Sequence, residues 1–178
     1  TVALDLEQEM RLAGAQDPSF PSIVASGPHG ALPHAQPRPV EIAAGSLVTI
    51  DWGARLDGYC SDCTRTYAAG HVEERAREVY EVVLDAQEAA LAAVRAGAGC
   101  VAGDAVARER IEAAGYGERF GHGLGHGVGP EVHEGPRLAK GADGELRSGN
   151  VVTVEPGVYL PGELGVRIED LVVVEEGG

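Results

Sequence analysis

Apolar residues recur along the chain in two rhythms, one suited to helices and one to strands. Residues 4–13 follow the helical spacing and are stopped by Gly14, which predicts a short amphipathic helix. SIVASG and LVTIDWG are short apolar runs that read as buried strands. Asp57-Gly58 is a strong two-residue hairpin signal, so YCSDCTRTY is the expected return strand. Over residues 72–96 the helical period returns, with Leu84, Leu91 and Val94 on one apolar stripe. A second helix over about 104–114 ends at Gly115. The last third offers the strand VVTVEPGVYL, a Pro161-Gly162 turn and the strand GVRIEDLVVV. Strands flank a central helical region, which predicts the class α+β. No low-complexity linker divides the chain, and its 178 residues suit one domain with a substantial core.

Composition narrows the function classes. A formal charge of −14 argues against nucleic acid or an anionic membrane as partner and leaves carboxylates to spare for metal ions. No run of ~18 apolar residues occurs, and the opening residues are not expected to be a signal peptide. Three cysteines without a secretory signal favour a reduced cytoplasm. Cys60 and Cys63 form a C-x-x-C, but Cys100 is the only other thiol, too few for a structural zinc site. The pair also lies in a strand-like run, not at a helix start where a redox pair would sit. The 26 glycines are about twice the usual ~7 % and imply many tight turns or close backbone approaches.

The two hairpins place acids in pairs. With Asp57-Gly58 as the turn, Leu56 opposes Tyr59 and Gly53 opposes Asp62. Asp51 is then a diagonal, same-face neighbour of Asp62, at a Cα separation of about 7–8 Å. A shift that sets Asp51 directly opposite Asp62 also keeps both on one face. About Gly162, Glu155 and Glu169 fall opposite each other. Like charges on one sheet face repel unless a cation lies between them. Four carboxylates balance two divalent cations.

GHGLGHGVGPEVHEGP, residues 121–136, holds half of the six histidines. His122 and His126 are four apart, but the interleaved glycines make a helical zinc pair implausible. No G-x-G-x-x-G register fits either. His126, on backbone that allows close approach, is available as one nitrogen ligand. Oxygen-rich ligation with one imidazole suits Mn²⁺, and Co²⁺ or Zn²⁺ less well. Two such ions can share a water and polarise a carbonyl, which is hydrolytic chemistry.

SGPHGALPHAQP, DWGARLDGYCSDCTRT, GHGVGPEVHEGP, VEPGVY and GVRIED, in this order and spacing, resemble the pita-bread metallopeptidases. Within them the chain is more similar to the Xaa-Pro peptidases (prolidase and aminopeptidase P) than to methionine aminopeptidase, which lacks the VRIED pattern. The resemblance implies a curved antiparallel sheet with covering helices. It implies two divalent ions, with Asp51 on one, His126 and Glu155 on the other, and Asp62 and Glu169 bridging. It makes His133 the residue that contacts substrate and stabilises the tetrahedral intermediate, His34 a further histidine lining the site, and His122 a pocket histidine. Arg167 is assigned to the substrate's carboxylate end or to orienting a metal-binding acid, with a structural ion pair to Asp170 or Glu163 as the alternative.

The implied reaction is cleavage of the N-terminal Xaa-Pro bond of dipeptides or short proline-containing peptides by a bridging hydroxide, Glu155 shuttling its proton. Methionine aminopeptidase activity and a non-catalytic peptide-binding relative are the rival readings, and metal-free creatinase-like hydrolysis a weaker one. The family normally carries a separate N-terminal domain. Residues 1–178 are therefore expected to be a catalytic domain truncated at its N-terminus, forming a homodimer if that domain is present.

Overall fold

Both predicted hairpins form, and each is broken halfway along. The computed structural model describes residues 1–176. In chain order come α1 (Val2–Leu12), β1 (Asp17–Pro18), β2 (Ile23–Ser26), a 3-10 turn at Gly27–Ala31, β3 (Leu47–Trp52), β4 (Ala54–Leu56), β5 (Tyr59–Cys60) and β6 (Cys63–Ala68). The helices α2 (Glu74–Ala93) and α3 (Cys100–Ala113) follow. Then come β7 (Gly125–Gly127), β8 (Glu134–Leu138), β9 (Val151–Val154), β10 (Gly157–Leu160), β11 (Leu164–Arg167) and β12 (Asp170–Val173).

In the first hairpin Leu56 pairs with Tyr59 and Trp52 with Cys63, so one register runs through it. The diagonal placement of Asp51 and Asp62 is thus the one realised, with Thr64 directly opposite Asp51. YCSDCTRTY is nevertheless two strands, not one. On one side of the break β3 pairs with β2 and β6; on the other, β4 pairs with β1 and β5. At Gly53 a Cβ would overlap the Ser61 carbonyl, so only glycine allows the two arms to approach there.

The second hairpin turns at Pro161-Gly162, where Gly162 has φ +81° and the Glu163 N–H donates to Leu160 O at 2.9 Å. This is the geometry that Pro followed by Gly supplies in a type II turn. Its register also runs through, with Leu160 opposite Leu164 and Val154 opposite Asp170. VVTVEPGVYL is likewise two strands. Pro156 has no N–H to continue a ladder, and the Glu155 N–H turns away to Leu124 O at 2.8 Å. Beyond that point β9 joins β12 and β7, with β8 outside β7. Among the described residues every strand pairing is antiparallel, in four hydrogen-bonded patches.

The central helices back this sheet system. Val79, Val83, Ala86 and Ala90 of α2 recur at helical spacing and pack with Cys100, Ala107 and Ile111 of α3, Val152 and Val154 of β9, Val158 and Val166. Each such valine contributes roughly 1.5–3 kcal/mol by leaving water. Of the expected stripe Val94 is buried in this core, while Leu84 and Leu91 are only partly buried at its margin. The helix also ends at Ala93, before the expected 96. α3 starts at Cys100, four residues before the expected start, because the fully buried Cys100 anchors its first turn in the core. α1 forms, yet none of its residues is buried.

Candidate metal centre

The four acids of the two hairpins lie at or beside the interruptions just described. Asp51 is near the end of β3, Asp62 between β5 and β6, Glu155 between β9 and β10, and Glu169 between β11 and β12. A break in the ladder bends a strand and re-aims its side chains, here into one cavity. His126 comes from β7, which threads between β8 and β9. At Gly125 a Cβ would overlap the Thr153 carbonyl, so glycine is what lets β7 press His126 against β9.

All five predicted ligands line a cavity of about 890 Å³, together with His34, His122, His133 and Arg167. Asp62, His126 and Glu169 each bring a donor atom within 4.8 Å of the others. His126 Nε2 is 3.2 Å from Glu155 Oε1 and 3.7 Å from Asp62 Oδ2. Its Nδ1 donates to Gly127 O at 3.0 Å; a carbonyl can only accept, so the lone pair of the neutral ring is on Nε2, facing the acids. Asp51 joins them through Arg167, whose Nη2 donates to Asp51 Oδ2 at 2.6 Å.

Side chains sequence reading did not single out hold this set in place. Thr64 donates to Glu169 Oε2 at 2.7 Å. Thr153 accepts the His126 N–H at 3.0 Å and donates to Glu155 Oε1 at 3.1 Å. Arg167 also donates to Thr64 Oγ1 at 3.1 Å and to the Tyr159 hydroxyl at 2.9 Å. Tyr159 lies 2.8 Å from His122 Nε2, and His122 Nδ1 donates to Gly123 O at 2.8 Å. The tyrosine proton therefore goes to His122 while its oxygen accepts from Arg167. The period-two rule held the signal: Thr64 follows Asp62 by two and Thr153 precedes Glu155 by two, each on its acid's side of the strand. Arg167 forms its ion pair with Asp51, not with the alternatives Asp170 or Glu163; Asp170 is held instead by Arg65 and Gln87.

The electrostatics are those of a site short of positive charge. Burial, then the charges of Asp51 and Glu155, push the Asp62 carboxyl up to about 7. Burial, followed by Glu155, Asp62 and Asp51, raises Glu169 well above the carboxylate range. Burial raises Asp51 too, partly offset by Arg167. Glu155 goes the other way: burial would raise it, but the His126 hydrogen bond and the neighbouring His122, His126 and Arg167 bring it down. His126 rises despite burial because it faces Glu155. Burial lowers His122 and His133, favouring their neutral rings.

A divalent ion fits this donor set. Among the described residues Asp51 Oδ1 is the one buried side-chain polar atom without a hydrogen-bond partner, an acceptor left for a cation. The raised acids would drop once a cation shared their field. His133 and His34 lie at the exposed side of the cavity, the His133 ring 4.3 Å from that of His126. The thiols stand apart from this chemistry. All three cysteines are free, and burial pushes Cys63 up to about 11, away from thiolate reactivity.

Comparison with known proteins agrees with this geometry. The profile of metallopeptidase family M24 matches residues 1–176. The chain is 49% identical over 177 residues to the uncharacterized peptidase YqhT of Bacillus subtilis, covering 99% of this chain and 50% of that protein. It is 46% identical over 177 residues to the Xaa-Pro dipeptidase of Pyrococcus furiosus, covering 99% and 51%. The crystal structure of X-Pro aminopeptidase from Thermotoga maritima matches with a TM-score of 0.96 at 46% identity, over 99% of this chain and 50% of that one. The expected α+β, pita-bread fold is the one observed. The chain spans about half the length of the curated relatives it matches.

Proposed function

Since the chain belongs to metallopeptidase family M24, we propose that it hydrolyses the bond between an N-terminal residue and a following proline in dipeptides or short peptides. The observation that carries this reading is the convergence of Asp62, His126 and Glu169 within 4.8 Å, beside the orphaned oxygen of Asp51. Asp51, Asp62, His126, Glu155 and Glu169 would hold two divalent ions, with Mn²⁺ the best match to four carboxylates and one imidazole, ahead of Co²⁺ or Zn²⁺. Bound there, such ions supply Lewis-acid polarisation of a carbonyl and a water of low pKa.

The protein's own groups take the remaining roles. Glu155 carries the proton from the attacking water to the leaving nitrogen. His133 and His34, on the open side of the cavity, donate hydrogen bonds to the oxyanion as it develops. His122, held neutral between Gly123 O and Tyr159, forms the wall for the proline ring. Arg167 orients Asp51 and does not take the substrate's carboxylate end. Arg167 is 4% exposed and its guanidinium is engaged by Asp51, Thr64, Tyr159 and Pro33 O, which leaves little of it for a substrate carboxylate.

The protein is proposed to work in a reducing cytoplasm, in keeping with its free cysteines. No helix among the described residues is long and apolar enough to cross a membrane. A methionine aminopeptidase or a non-catalytic relative is not favoured, given the full ligand set and relatives named for Xaa-Pro substrates.

The test is hydrolysis with Mn²⁺ of an Xaa-Pro dipeptide, an Xaa-Pro-Xaa tripeptide and Met-Ala-Ser. Cleavage of either proline peptide supports the proposal, and their ratio separates dipeptidase from aminopeptidase. Release of Met from Met-Ala-Ser with both proline peptides intact refutes it.

A further inference from the structure

Behind the cavity, α3 carries a buried ion pair with no place in the chemistry above. Asp104 and Arg108, 1% and 8% exposed, face each other one helical turn apart. Arg108 Nε donates to Asp104 Oδ2 at 2.7 Å and Nη2 to Oδ1 at 2.8 Å, a two-pronged contact. A buried ion pair gives little net stability by itself, because both charges lose their water. What sets this one apart is where its remaining capacity goes.

Its other hydrogen bonds go to the segment that leads into β7. Arg108 Nη1 donates to Phe120 O at 2.9 Å and Nη2 to His122 O at 2.8 Å. Asp104 Oδ1 accepts the Leu124 N–H at 3.0 Å. The guanidinium also lies 4.2 Å from the centre of the Phe120 ring, whose neighbour in edge contact is His122. Residues 121–125 are Gly-His-Gly-Leu-Gly, a stretch with little conformational preference of its own. Its order must come from outside, and the ion pair grips it at residues 120, 122 and 124.

Two links run from those points to the site. Leu124, held at its N–H by Asp104, accepts the Glu155 N–H on its own carbonyl at 2.8 Å. His122, held at its carbonyl by Arg108, directs its ring to Tyr159, which Arg167 joins to Asp51. We infer that Asp104 and Arg108 are positioning residues that set the backbone of residues 120–124, and through it the placement of His122 and Glu155. Arginine is needed because one lysine nitrogen cannot span a carboxylate and two carbonyls in a fixed plane.

The inference takes its consequence for catalysis from the hydrolytic reading above, but its test does not need turnover. The 178-residue chain is compared as wild type, Asp104→Asn, Arg108→Lys and Ile111→Ala. The last removes a fully buried side chain of the same helix that makes none of these contacts. Two quantities are read: Mn²⁺ affinity by titration calorimetry, and the ring nitrogen shifts of His122 in metal-free protein. Asp104→Asn and Arg108→Lys are expected to weaken Mn²⁺ binding about 10–100-fold, the range for outer groups that hold metal ligands. They should also mix the His122 tautomers, whereas Ile111→Ala changes both readings by less than about twofold while lowering the melting temperature. Wild-type affinity and tautomer in both ion-pair variants would overturn the inference, as would an equal loss in Ile111→Ala. If Asp104→Asn does not fold, Arg108→Lys, which keeps the charge, decides. Mn²⁺ binding without Xaa-Pro hydrolysis would sink the proposed function alone. If wild type binds no Mn²⁺, the proposed function falls and the tautomer comparison decides this inference.

Discussion

Replacing Asp62 by asparagine should make the metal-free chain more stable at neutral pH while removing its response to Mn²⁺. In the folded chain the Asp62 carboxyl moves from an ordinary 3.8 to about 7, through burial and then the charges of Asp51 and Glu155. Ionising it in place therefore costs on the order of 4 kcal/mol, at ~1.4 kcal/mol for each tenfold change. The folded value is raised, so the stabilising contribution is complete below about pH 4 and is lost as pH rises towards and through 7. Between pH 5.5 and pH 8 the loss is about 2 kcal/mol, or ~4–8 °C in melting temperature for a chain of this size. Asparagine keeps the shape and drops the charge. The advantage of Asp62→Asn over wild type in EDTA should thus grow by about 2 kcal/mol over that interval. Taking the difference between the two proteins cancels contributions common to both, such as those of His122 and His133. With Mn²⁺ at about a hundred times its dissociation constant, wild type should gain ~2.7 kcal/mol and the variant little. Circular-dichroism melts at the two pH values, with EDTA or Mn²⁺, supply all four comparisons. A wild-type protein that outlasts Asp62→Asn at pH 8 in EDTA would refute the crowded-acid picture.

Further outcomes follow from single contacts. Thr153→Val removes the hydroxyl between the His126 N–H and Glu155; it should cost about 1–3 kcal/mol for the stranded donor and weaken Mn²⁺ affinity ~10-fold, read by melting and calorimetry. Gly125→Ala forces a Cβ into the Thr153 carbonyl and should cost at least ~1–3 kcal/mol, with metal binding lost when metal content is measured after dialysis. His133→Ala should keep its metal and lower kcat by ~10²–10³; an unchanged kcat would remove this residue from the oxyanion role. Cys60→Ser with Cys63→Ser should leave kcat/KM within about twofold, since neither thiol belongs to the proposed chemistry.

Much of the site was legible because strands are simple rulers. Two turn signals, Asp57-Gly58 and Pro161-Gly162, set the hairpin registers, and both registers are found as counted. With side chains alternating, those registers bring Asp51 to Asp62's side and Glu155 opposite Glu169. The breaks were less legible. Pro156 was visible as a residue that cannot donate to a ladder, but where the freed Glu155 N–H would go depended on Leu124, 31 residues earlier. Of the expected stripe only Val94 reaches the core; Leu84 and Leu91 stay at its margin, because Val79, Val83, Ala86 and Ala90 win the core through their fit to β9 and α3, not by being larger.

By itself the sequence determined which groups could do chemistry here: acids in two register-matched hairpins, one histidine on glycine backbone, and turns that fold each arm back on itself. These are local matters, decided by dihedral preferences and a period of two. Tertiary structure alone decided that both hairpins open onto one cavity, that Arg167 chooses Asp51 over the acids beside it in sequence, and that a helical ion pair reaches the segment before His126. Those outcomes rest on which distant surfaces pack together, a competition over the whole core that no short window of residues contains.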